Sequence, residues 1–117
     1  MATQLDYSDV LIVPRQSSVN SRSDVNLMRT IGRISWTGVP IVAANMATIG
    51  TLEMAEALGK YQWLTCLHKH YTAEEILSLS YHGQYFSAPT IGLDTTSQQT
   101  FRQVMKSENK FKFVCID

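Results

Sequence analysis

Trp63-Leu64-Thr65-Cys66-Leu67-His68-Lys69-His70-Tyr71-Thr72-Ala73-Glu74-Glu75 is the stretch whose reading decides the fold. Its first five residues form an apolar run of strand length. His68-Lys69-His70 stops that run with three cationizable groups. Thr72-Ala73-Glu74-Glu75 then has the spacing of a capping box, in which the Thr72 hydroxyl and the Glu75 carboxylate each satisfy an orphan backbone N–H. Tyr71 and Ile76 are spaced as the hydrophobic staple of the same helix, and Ile76, Leu77 and Leu79 supply its buried face. A strand that passes through a short polar exit into a helix is the unit of an α/β protein, and such proteins place reactive groups at the carboxyl ends of their strands. A lysine at that exit can meet an anion or exchange a proton.

The same unit recurs on both sides. Upstream, Val39-Pro40-Ile41-Val42-Ala43-Ala44-Asn45 is an apolar run with proline at its start, where a strand tolerates it. Thr51 to Leu58 follows with Leu52, Met54, Ala55 and Leu58 on one helical stripe, and Gly59 is spaced as the glycine just past a helix end. Downstream, Phe86 to Gly92 reads as a strand weakened by Pro89 and Gly92, a helix from about Ser97 puts Phe101, Val104 and Met105 on one side, and Lys110 to Ile116 is a fourth strand. Strand starts near 40, 63, 86 and 111 repeat every 23 to 25 residues, which is a βα repeat and predicts a parallel sheet. Near-continuous apolar strands predict burial on both faces. The exits at Asn45, at His68-Lys69-His70, at Gly92 with Asp94 and at Asp117 then share one edge, where α/β enzymes bind ligands.

Residues 1–38 lie outside the repeat. Asp9 to Pro14 is a short strand candidate, Gln16 to Asn26 is polar loop sequence, and the whole segment is too short for a core of its own. It is expected to pack as an extension on the first βα units.

Composition excludes several functions. A formal net charge of zero disfavours a general nucleic-acid or anionic-membrane binder. The first residues lack a basic region followed by an apolar block, so no secretory signal and a cytoplasmic location are expected. Cys66 and Cys115 fall in apolar runs and read as buried, reduced thiols. His68 and His70 show no third ligand in pattern, so no metal site is expected.

These residues resemble the IMP dehydrogenase/GMP reductase family. Asp9-Val10-Leu11-Ile12-Val13-Pro14-Arg15 is similar to its opening motif. Ser21-Arg22-Ser23-Asp24-Val25, Trp36 to Met46, Thr48-Ile49-Gly50-Thr51, His68-Lys69-His70-Tyr71 and Val114-Cys115-Ile116-Asp117 continue the likeness in order, from about residue 6 to 117. Within the family, Ser21-Arg22-Ser23, Ala43-Ala44-Asn45-Met46 and His68-Lys69-His70-Tyr71 resemble the reductase branch. The resemblance implies a (β/α)8 TIM barrel, with residues 1–38 as an N-terminal extension and 39–117 as about four βα units, the first half of the barrel. It implies reductive deamination of GMP to IMP and ammonia with NADPH, in which a cysteine attacks the purine and hydride resolves the covalent intermediate. It further implies cofactor contacts from Ser21, Arg22, Lys69 and Asp117, with Lys69 and Asp117 supporting catalysis as a pair across adjacent strand ends, and Met46 beneath the purine ring.

The nucleophilic cysteine, its glycine-rich loop and the monovalent cation (K+) site of the full-length family enzymes have no counterpart in these residues. Cys66 and Cys115 lack the glycine-rich context and are not read as the nucleophile. Ala47 stands where the family carries an acid, and Thr90-Ile91-Gly92-Leu93 lacks hydroxyls usual at the third exit. The chain is therefore expected to be inactive alone. It would pair with a complementary C-terminal half or form a homo-oligomer, the family being tetrameric. The alternatives are a non-catalytic NADP- or partner-binding half-barrel, or an IMP dehydrogenase fragment.

Overall fold

Parallel pairing of Val39 with Trp63, Val42 with Leu64 and Ala43 with Thr65 ties the first repeat to the second. A computed structural model describes residues 2–117. The register slips between Val39 and Val42, at Pro40, which has no N–H to give to the ladder. The strands are β1 (Arg29–Ile31), β2 (Trp36–Ala43), β3 (Trp63–Cys66), β4 (Ser87–Ala88), β5 (Thr90–Ile91) and β6 (Cys115–Ile116). The helices are α1 (Leu52–Gly59), α2 (Ala73–Leu77), α3 (Tyr81–Tyr85) and α4 (Thr95–Lys106). β2, β3 and β4 pair in parallel, as do β5 and β6. This is the expected βα series, carried by one chain as a partial α/β sheet.

Several elements depart from the sequence reading. β2 starts at Trp36 and its first residues pair antiparallel with β1, a hairpin not foreseen within the extension. The turn between them uses Ser35 in the left-handed region at φ 50°. Asp9 to Pro14 is no strand: Tyr7–Asp9 form a 3-10 turn, and Leu11 and Ile12 are 95% and 96% exposed. Residues 2–27 are exposed throughout, so this part of the extension does not pack on the βα units as expected, whereas Ile34 and Trp36 pack with Leu64 and Phe86.

Pro89 divides the third strand in two. Leu67 N–H donates to the Ala88 carbonyl and Cys115 N–H to that of Pro89, so β4 serves β3 and β5 serves β6. The fourth strand is only two residues long, because β6 has a neighbour on one side alone. Gly59 is the last residue of α1 and right-handed; the left-handed residue is Gln62, at φ 63°. A Cβ on Gly59 would come within 3.2 Å of the His82 carbonyl oxygen, so close approach to α3 explains the glycine. α3 itself was not anticipated. Its Ser80 cap is held by Glu56, whose two carboxylate oxygens accept from the Ser80 N–H and hydroxyl.

Two clusters form the core. Ala55, Leu67, Ile76, Leu79 and Val104 join the helices to the outer side of the sheet. Trp36, Leu64 and Phe86 form the second, with Phe113 edge-on to Trp36 at 5.3 Å. Ile41 and Val42 of β2 remain 45% and 52% exposed, so burial on both faces fails there. The inner sheet face instead borders an open groove of about 360 Å³ lined by Val42, Leu64, Cys66, Val114 and Cys115.

Candidate functional site at the carboxyl edge of the strands

The chain leaves β3 through Leu67, which is fully buried, into His68 and Lys69. His68 N–H donates to the Gly50 carbonyl, which ties this exit to the turn after β2. A Cβ on Gly50 would lie 2.2 Å from the Cys66 carbonyl oxygen, so only glycine fits that crossing. The His68 ring stacks on Tyr71 with centroids 4.0 Å apart, and its Nδ1 accepts from the His70 N–H at 3.2 Å. Burial first, and the neighbouring His70 second, hold the His68 pKa below its ordinary value, which favours the neutral ring. The Tyr71 hydroxyl accepts from the Leu52 N–H at the start of α1. His68, His70 and Tyr71 are thus fixed by contacts, and Lys69 projects from among them.

Lys69 Nζ lies 3.6 Å from Asp117 Oδ2. The pair expected across strand ends is present, but its strands are not adjacent. Lys69 follows β3, Asp117 follows β6, and the end of β5 lies between. Asp117 is held by its own N–H, which donates to the Ile91 carbonyl at 3.0 Å. Beside Lys69 opens a groove of about 480 Å³ lined by Thr72, Thr96, Ser97 and Thr100 among others. With Lys69 and Asp94 both in its lining beside several Ser and Thr residues, the groove can hydrogen-bond a polar, hydroxyl-rich ligand and offers a cation to an anionic group.

Asp94, read from sequence as a polar strand exit, is the N-cap of α4: its Oδ2 accepts from the Ser97 N–H at 2.8 Å. The helix therefore starts two residues earlier than its apolar stripe suggested. The Asp-x-x-Ser spacing carried that signal. Ser97 is buried, and its hydroxyl accepts from the Gly92 N–H at 2.6 Å.

The other sequence-derived residues lie apart from Lys69. Ser21 and Arg22 sit in the exposed extension, where the Ser21 hydroxyl caps a 3-10 turn by accepting from the Ser23 N–H. Met46 begins the turn after β2 and is 58% exposed. None of the three lines the groove at Lys69. Cys66 and Cys115 are free thiols that line the inner apolar groove. Burial, and then Cys115 beside it, push the Cys66 thiol up to about 11, the wrong direction for a nucleophile.

A model of the IMP dehydrogenase / GMP reductase domain matches residues 4–79. The chain is 42% identical over 122 residues to a GMP reductase of Klebsiella pneumoniae, covering 97% of this chain and 35% of that protein. It is 36% identical to a GMP reductase of Phytophthora infestans, over 97% of this chain and 33% of the relative. Against GMP reductase 2 of Bos taurus it is again 36% identical, with 97% and 35% covered. The crystal structure of inosine 5' monophosphate dehydrogenase from Legionella pneumophila superposes with a TM-score of 0.70 at 26% identity, over 94% of this chain and 34% of that one. The chain thus spans about a third of the length of the curated relatives it matches.

Proposed function

Because this chain belongs to the IMP dehydrogenase/GMP reductase domain family, we propose that it is the N-terminal part, residues 1–38 as extension and 39–117 as early barrel, of a GMP reductase. The whole enzyme converts GMP to IMP and ammonia with NADPH in the cytoplasm. Identity of 36% to 42% to proteins named GMP reductase along 97% of the chain carries the choice of branch. The IMP dehydrogenase likeness is lower, at 26%.

The residues fit a dinucleotide: the Lys69 cation and the hydroxyls of Thr72, Thr96, Ser97 and Thr100 border one groove at the carboxyl edge. NADPH, when bound, supplies the hydride. Lys69 orients the cofactor's amide by hydrogen bonding and gives a proton to the departing amine. Asp117 holds the Lys69 ammonium in place. Ser21 and Arg22 serve the phosphate-bearing end, where a planar guanidinium binds oxygens in two places. Met46 packs beneath the purine. The attacking cysteine and the K+ site belong to the barrel's later strands, and GMP and IMP bind only when those strands are supplied, by a complementary C-terminal half or within a homo-oligomer.

The assay is GMP-dependent NADPH oxidation by the isolated 117-residue chain and by the same chain mixed with the remaining two thirds of a reductase relative. The expected result is no turnover alone and turnover on mixing. Turnover by the isolated chain overturns the division of labour. The exposed Val42 on the open inner face favours one other reading, a partner-binding half-barrel without chemistry. Binding of the complementary part with no turnover would select it.

A further inference from the structure

Gly92 is buried at the end of β5, between the exits that carry Lys69 and Asp117. Neighbouring strands run about 4.8 Å apart, so groups on alternate strands are separated by roughly twice that. Lys69 can reach Asp117 only by laying its stem across the end of the middle strand. A Cβ built on Gly92 would meet Asp94 Oδ1 at 2.9 Å, Lys69 Cδ at 3.3 Å and the Ser97 hydroxyl at 3.3 Å. Two of those three neighbours are pinned. Asp94 accepts from the Ser97 N–H at 2.8 Å, and the Ser97 hydroxyl accepts from the Gly92 N–H at 2.6 Å. The tightest contact falls on Asp94 Oδ1, the oxygen that the Ser97 N–H does not use, so the carboxylate turns only as far as the cap bond allows. The Lys69 stem is the flexible neighbour, with its side chain 38% exposed, so an added methyl displaces it.

We propose that Gly92 is a positioning residue: its missing side chain is the gap through which Lys69 crosses to Asp117, and the Asp94–Ser97 cap fixes the floor of that gap. The glycine is needed for space, since its backbone is not left-handed. The functional meaning of the crossing rests on Lys69 serving the cofactor, but the crossing itself does not.

The test is therefore made without cofactor, on the 117-residue chain, by the rate of reductive methylation at Lys69 resolved by mass spectrometry. Release of an exposed ion pair corresponds to a rate increase of about 1.5- to 5-fold. Gly92→Ala and Asp117→Asn are each expected to raise the Lys69 rate within that range and leave the other lysines unchanged. The double variant is expected to match either single one, because both act on one contact. Additive effects, or a Gly92→Ala rate equal to wild type, overturn the proposal. A nuclear Overhauser effect between the Gly92 α-protons and the Lys69 methylenes tests the unaltered chain, so misfolding of a variant leaves no escape: its absence overturns the crossing. Loss of NADPH binding with the crossing intact would sink the cofactor reading alone.

Discussion

At the scale of single residues, the environment of Cys66 gives a measurable signature. Its thiol is pushed up to about 11 from 9.0 by burial and by Cys115. Two pH steps of tenfold each separate it from an ordinary thiol, so at pH 8 its alkylation by iodoacetamide should run about two orders of magnitude slower than that of a free thiol. The folded state keeps this proton where the unfolded chain loses it. Stability should therefore be unaffected by Cys66 below pH 9 and fall as pH rises from about 9 towards 11. Alkylation at the rate of a free thiol would show that the inner groove admits water. The two thiols were legible as apolar-run residues, since cysteine in such a run packs as a small hydrophobe. The role of Gly92 was not legible. A glycine in a strand-like run reads first as a weak strand, and its neighbours Lys69 and Ser97 come from other parts of the chain.

Elements show the same division between local and distant signals. Thr72 N–H donates to Glu75 Oε2 at 2.8 Å, and Glu75 N–H to the Thr72 hydroxyl at 3.2 Å. This reciprocal cap is written in four consecutive residues and was read from them. Thr72→Ala and Asp94→Ala should each cost about 1 kcal/mol, the usual value of an N-cap side chain, measured by urea unfolding. Asp94→Ala should in addition shorten α4 from its first turn, because the Ser97 N–H loses its acceptor. Equal stability of Asp94→Ala and wild type would remove the cap from the account of that site. α3 carries no such code. Tyr81-His82-Gly83-Gln84-Tyr85 has no apolar stripe, and its cap depends on Glu56, 24 residues away in α1. The left-handed residue after α1 fell on Gln62, because Gly59 is needed for contact with α3 rather than for its dihedral freedom.

For the whole molecule, the radius of gyration is 17.2 Å, against about 13 Å for a compact domain of this length. The excess comes from residues 2–27, which are exposed throughout. Deleting them should move the thermal midpoint by no more than about 3 °C, since surface residues without packed contacts contribute within about 0.5 kcal/mol. A fall of 10 °C would show that the arm is bound to the body. The parallel βα order was legible because each strand announces itself by an apolar run. The packing of the arm was not, since none of residues 2–27 is buried among the described residues. Pro89 splits the third strand so that β2, β3 and β4 close one ladder, while β5 and β6 close another through only two register pairs. Proline has no N–H with which to continue a ladder. The sheet is thus a zipper with a stop near its last teeth. Thr65 and Leu67 donate to Phe86 and Ala88, so the bonds of β3 do not depend on the strand that carries Asp117. The counter-charge of Lys69 is therefore carried by a strand held through two register pairs on one side alone.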